Sequence, residues 1–294
     1  MLVLAARQAQ RVGGTAMIRN AIRAGLIAVT MVLPGASALA RPAATGGIEH
    51  AQLLGTLDLQ GPLFHVQGVD MDSRHIWVTS VDGKHQRGYL QEFDRATGRF
   101  VRRLDLTDGP RFHPGGLSIV GHSIWVPVAE YRSNSSAVLE EIDIDSLQIH
   151  RKIHVADHLG CVAATDRMLV AGNWDSKRLY LIDLGHDATV RVVPNPFPTR
   201  YQDMKFIDGQ LVAGGYINRH GGTIDWIDYP SMRLVRTLHT GPAGRGAPFS
   251  HAQLYTGEGM TLQGRDLYVL PENRHRSLFH FQLDTTVSPG VTLR

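Results

Sequence analysis

Cysteine is nearly absent: Cys161 is the only one in 294 residues. A single thiol excludes an internal disulfide, so packing and hydrogen bonding must hold the chain together. No CxxC or HExxH pair occurs, and Cys161 reads as a small buried hydrophobe. Also missing are the GxSxG elbow, the P-loop and a dinucleotide fingerprint after a parallel strand. Glycine-rich pieces such as AGGYINRHGG fall between antiparallel strands, where glycine serves turns.

Acidic residues are missing before Glu49, and residues 1–40 carry four arginines and no acid. Long apolar runs are missing too. AGLIAVTMVL is too short to span a bilayer. Arg19 and Arg23 precede that run, and Pro34, Gly35 and the tripeptide ALA follow it. This is the pattern of a signal peptide cleaved after Ala40, with Met17 as the natural start. There is no twin-arginine pair, which points to general export, and no cysteine near the cleavage site for a lipid anchor. The expected destination is the periplasm or the exterior, with no stable membrane insertion once the leader is removed. Residues 41–294 then hold 26 basic and 27 acidic side chains, a formal −1 in place of +3. The basic balance therefore disappears with the leader, and no nucleic-acid surface is expected.

What is present is repetition. RFHPGGLSIVGHSIWVPVAEYRSNSSAVLEEIDIDSLQIHRK reads as four short strands with short turns, and the same phrase occurs five times. An aspartate closes the third strand at Asp94, Asp143, Asp183 and Asp228, spaced by 49, 40 and 45 residues. An arginine follows each of them eight residues later, at Arg102, Arg151, Arg191 and Arg236. The aspartate suits the backbone N–H groups of a turn, and the arginine an exposed outer strand. A four-stranded sheet cannot bury both faces alone, so the copies must stack in a ring. The fold class is all-β: a single five-bladed β-propeller over residues 41–294, with four-stranded antiparallel blades. The blades fall at about 62–107, 110–156, 157–195, 198–240 and 249–284. The last copy lacks its outer strand, and LLGTLDL at 53–59 supplies it and closes the ring.

In a propeller, residues just before first strands and just after second strands meet around one opening. The first set is His65, His113, His158, Gln202 with Asp203, and His251 or Glu258. The second is Thr79 with Ser80, Glu130, Asn173 with Trp174, Tyr216, and Glu272 with Asn273. The loop 241–257 and the insertion 132–136 belong to the same rim. His65, His113, His158 and Glu258 are candidate ligands for one divalent metal ion, zinc for imidazoles or calcium for oxygens. Glu130 and Glu272 are candidate general bases. Asn173, Trp174, Asp203, Tyr216, His251 and Asn273 are candidate ligand contacts. The same constellation also reads as a polar plug that satisfies backbone groups where strands crowd. Trp77 and Trp125, at matched second-strand positions, read as core, and the remaining histidines as solvated surface.

HPGGLSIVGHSIWVPVAEYR and GEGMTLQGRDLYVLPEN resemble a family of secreted bacterial proteins of unknown function, the DUF6454 type. The likeness extends over the mature region and implies a grouping without an activity. More distantly, the blade pattern is similar to the gluconolactonase/regucalcin-like and strictosidine-synthase-like propellers. The former resemblance implies an axial metal held by Glu, Asn and Asp, roles in which Glu258 and Asn173 would stand. Those relatives have six blades and lack this histidine set.

Two functions follow. One is a metal-assisted hydrolase of a small lactone or ester, in which the ion polarises the carbonyl and activates water. The other is a non-catalytic propeller that binds a glycan, a small ligand or an envelope protein. Either would be a monomer. The export reading makes its own prediction: protein recovered from the native host begins at or near Arg41. Intact mass showing Met1 or Met17 on the folded protein would refute it.

Overall fold

Apolar strands of three to nine residues separated by turns give, in the computed structural model, five antiparallel sheets. The structure describes residues 47–185, 190–244 and 250–284. The expected leader and its cleavage site lie outside the described residues. Blade one is His65–Met71, His75–Asp82, Arg87–Asp94 and Phe100–Asp105, paired in that order. Blade three is Leu159–Ala164, Met168–Asn173, Arg178–Asp183 and Val190–Pro194, and blade four is Arg200–Ile207, Gln210–Asn218, Gly221–Asp228 and Arg233–Thr240. Blade five runs Gly259–Gln263, Asp266–Leu270 and Ser277–Leu283, and its outer strand is Ala51–Asp58 from the other end of the chain. That pairing, Ala51 opposite Leu283 through Asp58 opposite Ser277, closes the ring as expected.

Blade two departs from the expected form. Its second to fourth strands are Ser123–Glu130, Ala137–Asp143 and Ile149–Val155. The inner strand comes in two pieces, Arg111–Pro114 and Ser118–Val120, both paired with Ser123–Glu130. HPGG is therefore a break within the inner strand and not a turn before it. The reason is axial crowding. A Cβ on Gly115 would stand 2.0 Å from the Gly160 carbonyl oxygen, and one on Gly116 2.5 Å from that of Gln202. Only glycine lets the backbone pass there.

The apolar clusters lie between blades. Trp77 and Leu90 of blade one meet Leu117, Ile124 and Val126 of blade two. Trp125 and Leu139 meet Leu159, Val162 and Leu169 of blade three. Cys161 and Val170 meet Tyr201, Met204 and Leu211, and Val212 and Ile224 meet Met260, Leu267 and Val269. Val66, Ile76 and Val78 complete the circuit against Leu270 and Leu278. Every blade thus buries both faces against its neighbours, so a missing blade edge weakens the whole ring.

The repeated aspartates serve turns. Asp94 accepts the Thr97 N–H at 2.8 Å, Asp143 the Ser146 N–H at 2.7 Å and Asp183 the Gly185 N–H at 2.9 Å. The arginines do more than sit in solvent. Arg102 is paired with Glu92 and lies over Trp77, and Arg151 is paired with Glu141 and lies over Trp125. Each makes a Trp–Glu–Arg row across three strands. In blade four the tryptophan itself occupies the middle place, as Trp226 opposite Arg236. Among the histidines read as surface, His75 and His280 are only partly exposed and pair with Asp72 and Glu92, and with Asp266.

At the axis Asp203 is fully buried. It accepts backbone N–H groups from Val69 (3.0 Å), Met260 (3.1 Å) and Met204 (3.0 Å), and the Lys205 ammonium at 2.6 Å. Lys205 also donates to the Leu117 carbonyl at 2.6 Å. Blades one, two, four and five are thereby tied together. Asp70 adds a second tie, accepting from Ile119 of blade two (2.8 Å) and Thr261 of blade five (2.7 Å).

Two outcomes test this account. Residues 61–294 should melt well below residues 41–294, because the Ser277–Leu283 edge is uncovered; equal melting temperatures would refute ring closure. Asp203→Ala strands a buried lysine and should cost about 3–5 kcal/mol in chemical denaturation, the range for breaking a buried ion pair.

Candidate functional site

The inner strands begin at one end of the axis, and the residues at those beginnings enclose a cavity of about 210 Å³. Blade one lends His65 and Gln67, blade two His113 and Tyr131, and blade three His158, Gly160 and Trp174. Blade four lends Gln202 and Tyr216, and the segment entering blade five lends His251 and Glu258. Seven expected residues meet here: His65, His113, His158, Glu258, Trp174, Tyr216 and His251.

One wall is aromatic. The His113 ring stacks on Tyr131 at 4.5 Å and lies 6.0 Å from Trp174, and His158 meets Trp174 edge-on at 4.5 Å. His113 is buried and its Nδ1 has no partner. Burial, with the nearby imidazoles of His158 and His65, pushes its pKa well below the usual value. Burial also holds His158 down to about 4. Its Nδ1 donates to the Arg132 carbonyl at 3.0 Å, which leaves the lone pair on Nε2. The 132–136 insertion therefore helps orient a cavity residue. Opposite, Tyr216 and His251 stack at 3.9 Å, and burial lowers the pKa of His251.

The remaining wall carries the charge. His65 Nδ1 lies 2.9 Å from Glu272 Oε2, and that hydrogen bond raises the imidazole pKa despite its burial. Glu258 is buried, only 3% exposed, and its carboxyl makes no hydrogen bond among the described residues. Burial pushes its pKa up to about 8; the charge of His65 pulls it down and that of Glu272 pushes it up. An unpartnered carboxyl in a closed wall pays desolvation with no return from structure, which is the profile of a functional group.

Five expected residues stand elsewhere. Asp203 is one residue deeper than Gln202 and belongs to the axial tie, not to the cavity surface. Glu130 is bound by Arg132 at 2.7 Å and by the Ser136 hydroxyl at 2.9 Å, and Arg132 lowers its pKa. A base so held is a rim salt bridge. Asn173 accepts the Arg178 N–H at 2.9 Å and closes a turn. Asn273 builds the 271–277 turn, accepting from His275 and Ser277 at 3.0 Å each. Glu272 reaches the cavity only through His65; it also accepts the Val66 N–H at 3.2 Å and lines a neighbouring cavity of about 240 Å³.

The expected metal set does not assemble. Among the described residues no three His, Cys, Asp or Glu side chains converge as metal ligands. His65 Nδ1 is taken by Glu272 and His158 Nδ1 by the Arg132 carbonyl, and the ring nitrogens left over do not converge with a third described ligand. Cys161, with its thiol pushed up to about 12 by burial, is inert packing.

Sequence reasoning missed Gln67 and Tyr131. Gln67 sits at a bulge, unpaired between Val66 and Gly68, and no sequence signal marks that bulge. Tyr131 directly follows the end of a second strand, where only Glu130 had drawn notice.

Comparison with known proteins agrees with the fold. A model of a family of unknown function, DUF6454, matches residues 79–208, which contain the HPGG phrase. No curated protein matches the chain. Among solved structures, the glutaminyl cyclase of Myxococcus xanthus is similar over 80% of this chain and 96% of that one, at 16% identity and a TM-score of 0.60. The Cps50 (Swd1) β-propeller domain of Myceliophteria thermophila is similar over 82% of this chain and 71% of that one, at 14% identity and a TM-score of 0.43. At 16% identity the likeness to the cyclase is one of fold.

Proposed function

We propose that the axial cavity is the active site of an exported enzyme that transfers acyl groups of small polar substrates, with Glu258 as the proton carrier. The observation that carries this reading is the Glu258 carboxyl: buried, lining the cavity, without a hydrogen-bond partner among the described residues, and with a pKa moved to about 8. A catalytic acid or base works best with a pKa near the working pH. As carboxylate, Glu258 takes the proton from the attacking nucleophile, either water or a group of the substrate. As carboxyl, it returns that proton to the departing oxygen or nitrogen, and the residue ends as it began. His65 and Glu272 act through Glu258 by setting its charge balance.

Two substrate classes suit this chemistry. Hydrolysis of a small lactone or ester uses water as nucleophile. The glutaminyl cyclase of similar fold suggests the other, in which an amine attacks a carboxamide within one molecule and ammonia leaves. A cavity of about 210 Å³ admits a small molecule or the end of a chain, and nothing of drug size. No step here is routed through a metal, because the side chains present do not form a ligand set.

The test is a panel of γ-lactones, esters and peptides with amino-terminal glutamine. For any substrate turned over, kcat/KM should rise about tenfold per pH unit below about 8 and level above it, because Glu258 must first lose its proton. His65→Gln removes a positive neighbour and should move that midpoint upward. Glu258→Gln should abolish turnover. It should also stabilise the fold, because a carboxyl raised from 4.5 costs stability as pH climbs from there to about 8. A profile flat across that window, or full turnover in Glu258→Gln, would overturn the assignment. Absence of turnover across the panel, with binding retained, would leave the propeller as a binding module for a glycan, a small ligand or an envelope protein.

A further inference from the structure

Resting on the reading of the axial cavity as the ligand site, we infer that it selects a primary ammonium group, so that its substrates are amines. Gln67 Nε2 donates to the Val66 carbonyl at 2.8 Å and Gln202 Nε2 to the Tyr201 carbonyl at 3.2 Å. Those bonds fix both amides, and each is left with an oxygen that has no partner among the described residues. His158 spends its Nδ1 proton on Arg132, which makes its Nε2 an acceptor. Glu258 adds a carboxyl without a partner. These four acceptors belong to the lining and have no partner among the described residues, and a ligand rich in N–H donors satisfies them.

Charge points the same way. Among the described residues no lysine or arginine lines the cavity. Arg200 lies against the Tyr216 ring, 5.7 Å from its centre, and is not part of the lining. Around the charged wall stand two carboxyls, Glu258 and Glu272, and one imidazole that is already bonded to Glu272. Buried His113, His158 and His251 favour the uncharged form and cannot supply the missing cation. A ligand ammonium would supply it. The rings of Tyr131 and Trp174, both exposed, would hold the same cation by their quadrupoles. A carboxylate or phosphate ligand, by contrast, would find no lysine or arginine among the described lining residues and would face the free oxygens of Gln67, Gln202 and Glu258.

Benzylammonium and benzyl alcohol test this as a pair, since they share a ring and differ in the ammonium. Isothermal titration of the protein at pH 8 should show benzylammonium binding at least about tenfold more tightly, roughly 1.4 kcal/mol. In Glu258→Gln that preference should fall to about twofold or less, while benzyl alcohol affinity stays unchanged and shows the cavity intact. Trp174→Leu should weaken benzylammonium several-fold. Equal affinities for the pair, preference for benzoate, or no binding of any probe at millimolar concentration would each overturn the inference. Turnover of a neutral lactone with no ammonium preference would sink it and leave the proposed activity standing. Ammonium preference with no turnover of any amine would do the reverse.

Discussion

The structure depends on how closely five backbones can approach one axis. Gly68, Gly115, Gly116 and Gly259 let the inner strands of blades one, two and five draw against their neighbours. A Cβ on Gly68 would stand 2.6 Å from the Gly116 backbone, and one on Gly259 would stand 2.6 Å from Val69 N. Such crowding leaves backbone N–H groups facing inward with no strand beside them, and a buried orphan costs about as much as a lost hydrogen bond. Asp203 and Asp70 answer that need. They tie the blades together at the axis, and the residues at the strand beginnings, His65, His113 and His158 among them, enclose the cavity.

Much of this was legible because a propeller repeats. The turn aspartates at fixed places, the apolar strands and the orphan strand at 53–59 were sufficient to count blades and close the ring. The gathering of His65, His113, His158, Trp174, Tyr216, His251 and Glu258 followed from one topological fact, that strand beginnings meet. What the sequence could not say is which way a polar side chain spends its bonds. Asn173 and Asn273 look like ligand contacts and are turn builders, and Glu130 looks like a base and is held by a neighbour two residues away. Those outcomes hang on loop geometry, which repetition does not constrain. The split inner strand of blade two was hidden for a related reason. HPGG has the composition of a turn, and only the proximity of Gly160 and Gln202 shows that glycine is there to let chains pass.

The histidines show why residue type alone misleads about metals. Three imidazoles and a carboxyl at matched positions look like a ligand set on paper. In the fold each ring already has an occupation: His65 with Glu272, His113 with Tyr131, His158 with Arg132 and Trp174. The rings serve as faces and acceptors, and burial keeps His113 and His158 uncharged. A wall of neutral imidazole and tyrosine is more polar than leucine and less demanding than charge, which suits a cavity whose only strong group is one carboxyl.

The two buried carboxyls of the axis make the distinction between structure and function concrete. Asp203 and Glu258 sit near each other along the chain's common axis, and burial raises the pKa of both. Asp203 receives three backbone N–H groups and an ammonium, so its lone pairs are consumed by the fold. Nothing is left with which to meet a ligand. Glu258 is equally sequestered and receives none. Burying a carboxyl without a partner costs several kcal/mol as charge and less as the neutral acid, so the group stays protonated until something arrives to share it. A polar plug would be expected to resemble Asp203. Glu258 differs from it in the one respect that matters for chemistry, which is that its proton and its lone pairs are still available.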